Sequence, residues 1–147
     1  MEAEQVLTLE NRREAMAGLA DEFDCFCQRH GLAAKISYPF QVALDELLTN
    51  TIEYGYPDQS ARTIEVHLRL MAECLDVELI DDARPFNPFQ REAPDTEASI
   101  EDRQIGGLGI HLVVNLMDRV DYTRIGAFNH ICLRKYLTAQ SANKGQT

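Results

Sequence analysis

Glu46 and Asn50 stand four positions apart in Ala43-Leu44-Asp45-Glu46-Leu47-Leu48-Thr49-Asn50, a run whose apolar residues recur at helical steps. At about 100° per residue the two side chains lie some 40° apart around a helix axis and project the same way. They flank the apolar stripe, as residues do where a helix borders a cleft. A carboxylate there can orient a water or accept a hydroxyl proton, and an amide oxygen can ligate a hard cation such as Mg²⁺. The bland alternative is a solvated polar edge.

Two further segments carry chemistry. Leu75, Val77 and Leu79 alternate with Asp76 and Glu78, and the same alternation puts Asp81 on the core side and Asp82 on the solvent side. An inward carboxylate at a strand end is costly unless paired, so Asp81 requires a donor. The exocyclic amino group of adenine is one candidate; a buried structural hydrogen bond or a helix-capping contact is the other. Gly106-Gly107-Leu108-Gly109 then precedes Ile110, Leu112, Val113 and Leu116, a helix face. Glycines at a helix start allow close backbone approach, and the free N–H groups there attract phosphate oxygens. The segment is neither a Walker phosphate loop nor the dinucleotide fingerprint.

These groups need elements to hold them. Residues 5–10 alternate weakly, as a short edge strand does. From Arg12 to His30, Met16, Leu19, Phe23, Phe26 and Cys27 recur at amphipathic-helix spacing, and Gly31 stops the run. Ser37 is placed to cap the next helix, with Pro39 tolerated in its first turn. Phe40, Leu44, Leu47, Leu48 and Thr51 share one face of that helix, which Gly55 and Pro57 end. Ile64, Val66, Leu68 and Leu70 mark the strand before the Asp81 strand. Residues 88–105 form a long polar loop, of the kind that is functional or disordered. A helix follows from about Gly107 to Met117, then a hairpin of 119–124 and 128–136 around Gly126. Strand pairs in this order favour a mixed, mostly antiparallel sheet covered by helices on one face.

With 147 residues the chain makes one domain, large enough to bury about two-thirds of its unfolded surface. A net charge of −10 and the absence of any long Lys/Arg run argue against direct nucleic-acid or anionic-membrane binding. No apolar stretch approaches the roughly 20 residues of a membrane span, and the acidic Met1-Glu2-Ala3-Glu4 is unlike a signal peptide, so a cytoplasmic protein is expected. Cys25, Cys27, Cys74 and Cys132 form no Cys-x-x-Cys pair and read as small buried side chains. The four histidines lack metal-ligand spacing.

Taken in order, the segments resemble the ATP-binding fold of gyrase-type ATPases and sensor histidine kinases, and most closely the bacterial anti-sigma factor serine kinases. The likeness runs from about residue 36 to 136. Ala43 to Asn50, followed by Tyr54-Gly55-Tyr56, looks like that family's N box, and Leu79 to Pro88 looks like its adenine box. Gly107 to Val113 looks like its second glycine box, and Asn129 to Lys135 resembles its last strand. The resemblance implies a Bergerat-type α/β (α+β two-layer) fold, with residues 1–137 as the ATP-binding domain and 138–147 as a flexible tail. It implies ATP and Mg²⁺ as cofactors, with Glu46 as catalytic base and Asn50 as the Mg²⁺ ligand. It also implies adenine binding at Asp81, with Ala83 and Arg84 in the same box, and phosphate contacts from Gly107, Leu108 and Gly109 under a lid at 88–105. The family usually has glycine where this chain has Ala83; the added methyl is tolerated if the backbone angles there are ordinary.

Members of that family work in partner switching. By resemblance this chain would be a cytoplasmic homodimer that holds a sigma factor inactive, or releases it to bind a small antagonist, whose serine it phosphorylates. The alternative is an ATP-liganded switch protein without useful kinase activity. A histidine kinase fragment fits less well, since the phosphoacceptor helix hairpin has no room in the sequence, as does a stand-alone ATPase.

Overall fold

The computed structural model describes residues 2–90 and 108–138. Five strands and three helices occur among them: β1 (Ala3–Glu10), α1 (Met16–Arg29), α2 (Ala34–Tyr54), β2 (Thr63–Leu70), β3 (Cys74–Asp81), α3 (Leu108–Leu116), β4 (Arg119–Ile125) and β5 (Phe128–Tyr136). The sheet order is β1-β2-β3-β5-β4, and each neighbouring pair is antiparallel. The sheet expected to be mixed and mostly antiparallel has antiparallel pairing throughout the described residues. β1 takes the edge position expected of it.

Alternation decides which face is buried. Ile64, Val66, Leu68 and Leu70 of β2 and Leu75, Val77 and Leu79 of β3 point under the helices, while Glu65, His67, Asp76 and Glu78 point away. The inner face packs against Phe23 and Phe26 of α1, Phe40, Leu44, Leu47 and Leu48 of α2, and Ile110 and Val113 of α3. The Phe23 and Phe40 rings meet with centroids 5.9 Å apart. Burying each such side chain contributes about 1.5–3 kcal/mol.

Helix ends follow local chemistry, with one correction. Gly31 has φ +67, the Leu32 N–H donates to the Cys27 carbonyl at 2.9 Å, and the Gly31 N–H donates to that of Gln28 at 3.2 Å. This Schellman arrangement closes α1 where the glycine predicts. Ser37, however, does not cap α2. Its N–H donates to the Ala33 carbonyl at 3.1 Å, so Ser37 is already helical, and Pro39 is an interior residue. Burial of Ile36 draws the preceding turn onto the core. The Lys35 carbonyl, which loses its partner to Pro39, belongs to an exposed residue that water can serve.

The β4–β5 hairpin turns at Gly126, where φ is +58. All four cysteines are free. Cys27 and Cys74 are buried as expected, but Cys25 is exposed because it lies on the opposite side of α1. Burial pushes the Cys27 and Cys132 thiols up to about 11, which keeps them protonated and unreactive. No helix among the described residues is long and apolar enough to cross a membrane. Most of the expected 88–105 lid, Gly106 and Gly107, and all but Thr138 of the expected tail fall outside the described residues.

Candidate functional site

One side of α2 presents Leu47, Asn50, Thr51 and Tyr54, spaced three and four apart, to a cavity that opens to solvent. The opposite wall comes from the end of β3 and the segment after it, through Asp81, Ala83, Arg84, Phe86 and Pro88, and from Asn129 and Ile131 of β5. Apolar walls with a few convergent polar groups suit a planar ligand.

Asp81 is 4% exposed and points inward, as the strand alternation requires. Its Oδ1 accepts hydrogen bonds from the Ala83 N–H at 3.0 Å and from the Asn129 amide at 2.9 Å. Of the two candidates for its donor, the buried structural hydrogen bond is present. Protein donors satisfy Oδ1, and among the described residues no hydrogen bond reaches Oδ2. Burial pushes the carboxyl above the usual carboxylate range; the Asn129 and Ala83 donors pull the other way, Asp82 opposes its ionisation and Arg124 favours it. Asp82 faces away as expected but is not merely solvated. It accepts from the Tyr56 hydroxyl at 3.3 Å and lies 3.6 Å from Arg62.

Asn50 lines the cavity, and among the described residues its buried side-chain nitrogen has no hydrogen-bond partner. Such an orphan is rare in a folded protein, and a polar group in the cavity would complete its bonding. Asn50 therefore fits a polyphosphate with its cation: the amide offers one oxygen to a metal or one N–H group to a phosphate. Among the described residues no group of three or more His, Cys, Asp and Glu side chains could hold a metal. A cation ligated chiefly by phosphate and water needs no such group.

Glu46 sits one turn before Asn50 on α2 and is half-buried, beside the cavity but not on its wall. Its carboxylate lies against Gly109 in the first turn of α3, so closely that a Cβ at Gly109 would overlap it. A side chain at Gly109 would therefore displace the Glu46 carboxylate. At Gly55 the obstacle is backbone: a Cβ would come within 2.5 Å of the Thr51 carbonyl oxygen and 2.8 Å of the Ala83 methyl, so the glycine is required. The Arg84 N–H, in turn, donates to the Gly55 carbonyl at 3.0 Å and staples the segment after β3 to the end of α2.

Ala83 is buried beneath the cavity. Among the described residues only Gln59, apart from glycines, has positive φ, so Ala83 adopts an ordinary backbone and its methyl is accommodated. Asn50, Asp81, Ala83 and Arg84 thus meet at one cavity, with Glu46 and Gly109 paired beside it. Leu108 opens α3, and Gly107 lies outside the described residues.

The residue that the spacing arguments missed is Asn129, 4% exposed and directly opposite Asp81 in the β3–β5 register. Its alternation with Ile131 and Leu133 marked it as inward-facing. A buried asparagine on a strand was the available signal.

Comparisons with known proteins bear on the family and the fold. Residues 9–135 match the model of the histidine kinase-like ATPase domain. The chain is 24% identical over 109 residues to the serine/threonine-protein kinase BtrW of Bordetella bronchiseptica, spanning 74% of this chain and 77% of that protein. It is 24% identical over 127 residues to the serine-protein kinase RsbW of Bacillus velezensis, and 22% identical over 127 residues to that of Bacillus subtilis, in each case spanning 80% of this chain and 79% of the relative. Among solved structures it is similar to the histidine kinase domain of a blue-light activated histidine kinase from Erythrobacter litoralis, with a TM-score of 0.55 and 17% identity. That match spans 87% of this chain and 62% of the other, and it bears on the fold alone. With the matched region covering nearly all of β1 to β5, the chain belongs to the histidine kinase-like ATPase domain family.

Proposed function

We propose that this protein is an ATP-dependent protein-serine kinase of the anti-sigma factor type. In this reading it phosphorylates a serine of a small antagonist protein, and it sequesters a sigma factor when the antagonist is not engaged. It acts in the cytoplasm as a homodimer. The observation that carries the reading is the placement of Glu46 and Asn50 one turn apart on α2. Asn50, with its unpartnered amide nitrogen, lines the same cavity as Asp81, and Glu46 lies at the first turn of α3. The named activity of the BtrW and RsbW relatives supports it.

Each residue has a role its chemistry suits. Asp81 accepts a hydrogen bond from the adenine amino group, in the cavity that Ala83 and Arg84 also line. Asn50 would hold Mg²⁺ through its amide oxygen, and the ion would supply charge neutralisation for phosphoryl transfer. Leu108 and Gly109, in the first turn of α3, offer N–H groups to phosphate oxygens. Glu46 takes the proton from the attacking serine hydroxyl as its oxygen bonds to the terminal phosphorus of ATP and the bond to ADP breaks.

Labelled ATP, Mg²⁺ and a candidate antagonist protein test the reading together. Transfer of label to an antagonist serine is expected, and bound ATP with no transfer would leave only a nucleotide-dependent binding switch. In Glu46→Gln, transfer falls by about 10²–10⁴-fold while ATP still binds. Full activity in that variant overturns the assigned base.

A further inference from the structure

We propose that the β4–β5 hairpin selects the base: Asn129, held by Tyr122 and Arg124, occupies one oxygen of Asp81 and thereby makes the cavity accept a 6-amino purine and reject guanine. The inference rests on the ATP reading above and adds a positioning device to it.

Every hydrogen-bonding position of the Asn129 side chain is taken by protein. Its amide nitrogen donates to Asp81 Oδ1 at 2.9 Å and to the Arg84 carbonyl at 3.0 Å, with the Ala83 carbonyl at 3.4 Å. Its oxygen accepts from the Tyr122 hydroxyl at 2.6 Å and from Arg124 Nη1 at 3.1 Å. Arg124 Nη1 also donates to the Ala83 carbonyl at 2.9 Å. Turning the amide over would set its oxygen against three acceptors and its NH₂ against a guanidinium, so its orientation is fixed chemically. Asn129 lines the cavity but has no hydrogen-bonding position left for a ligand, so its polar influence on the base acts through Asp81.

The consequence lies in counting oxygens. A carboxylate with both oxygens free is a fork that matches the adjacent N1–H and N2–H donors of guanine. Asp81 offers no such fork, because Oδ1 already accepts from Ala83 and Asn129. Among the described residues no donor reaches the other oxygen, which is enough for the single amino group of adenine and wrong for the 6-oxo acceptor of guanine. Tyr122 and Arg124 do not line the cavity, so any effect of theirs on base choice must travel through Asn129 and the Ala83 carbonyl.

Dissociation constants for ATP and GTP, measured by calorimetry between pH 5 and 8 on wild type, Asn129→Leu and Tyr122→Phe, test this directly, with thermal midpoints recorded alongside. Wild type prefers ATP. Asn129→Leu narrows the ATP-to-GTP preference by about tenfold, and Tyr122→Phe narrows it in the same direction by about threefold. Loss of the Asn129 donor also moves the acid limb of ATP binding to higher pH, because that donor favours the charged form of Asp81. Asp82, Arg124, Tyr56 and the cavity residues Tyr54 and Arg84 are unchanged in Asn129→Leu and cannot cause that shift. Folded variants with lowered thermal midpoints but unaltered base preference and pH profile would reduce Asn129 to a structural residue and overturn the proposal. Should Asn129→Leu fail to fold, Tyr122→Phe decides by the same criterion. Wild type that binds neither nucleotide refutes the ATP reading instead.

Discussion

Asp76 and Asp81 share strand β3 and a side chain, yet their surroundings differ completely. Asp76, on the outer face, is gripped through both oxygens by Arg134 of β5, Nε to Oδ1 at 2.7 Å and Nη2 to Oδ2 at 2.8 Å. Asp81, on the inner face, receives two donors among the described residues, both on Oδ1. The outer carboxylate is complete within the protein, whereas the inner one is left half-bonded at a cavity. A pair that closes on itself contributes to holding β3 against β5, but an acceptor left open in a desolvated site is a place for a ligand.

Replacing the inner carboxylate gives the largest effect. Asp81→Asn turns an acceptor into a donor facing the adenine amino group, and ATP affinity falls by about 10- to 100-fold, measured by calorimetry. The same change on the outer face separates the two residues. Asp76→Asn leaves the ATP dissociation constant unchanged and lowers unfolding free energy by about 1–2 kcal/mol, read from denaturant midpoints; Arg134 is 30% exposed, so water recovers part of the loss. If Asp76→Asn instead weakened ATP binding as Asp81→Asn does, the contrast between the faces would collapse.

The smallest effect concerns pH. The folded protein raises the Asp81 pKa above its unfolded value near 3.9. The stability it contributes is therefore complete below that value and is lost as pH rises through the folded pKa. Thermal midpoints of the ligand-free protein should show Asp81→Asn gaining on wild type across that window. ATP binding runs the opposite way, weakening as pH falls and Asp81 takes up its proton. A gap between the two proteins that stays constant with pH would show that Asp81 is not penalised by burial.

Much of this was legible in residue spacing. The period of α2 put Glu46 and Asn50 on one side, the alternation of β3 turned Asp81 inward, and Gly31 and Gly126 marked a helix end and a hairpin turn. Local geometry repeats along the chain, so each of these needs only neighbouring residues. The start of α2 was misjudged because Ser37 and Pro39 carry strong local signals. Burial of Ile36 outweighed them.

Sequence alone thus determined which residues could do chemistry and toward which face each points, since side-chain direction follows from backbone period. Tertiary structure decided which of them meet. Asp81 and Asn129 are 48 positions apart and became partners only when β5 paired with β3. Gly109 came against Glu46 only when α3 packed on α2, and Ala83 reached Gly55 only when the end of β3 closed over the end of that helix. Such contacts depend on strand order and packing, which no spacing within a segment encodes. The open oxygen of Asp81 depends on both: alternation aimed the carboxylate inward, and the pairing of distant strands left only one of its oxygens free.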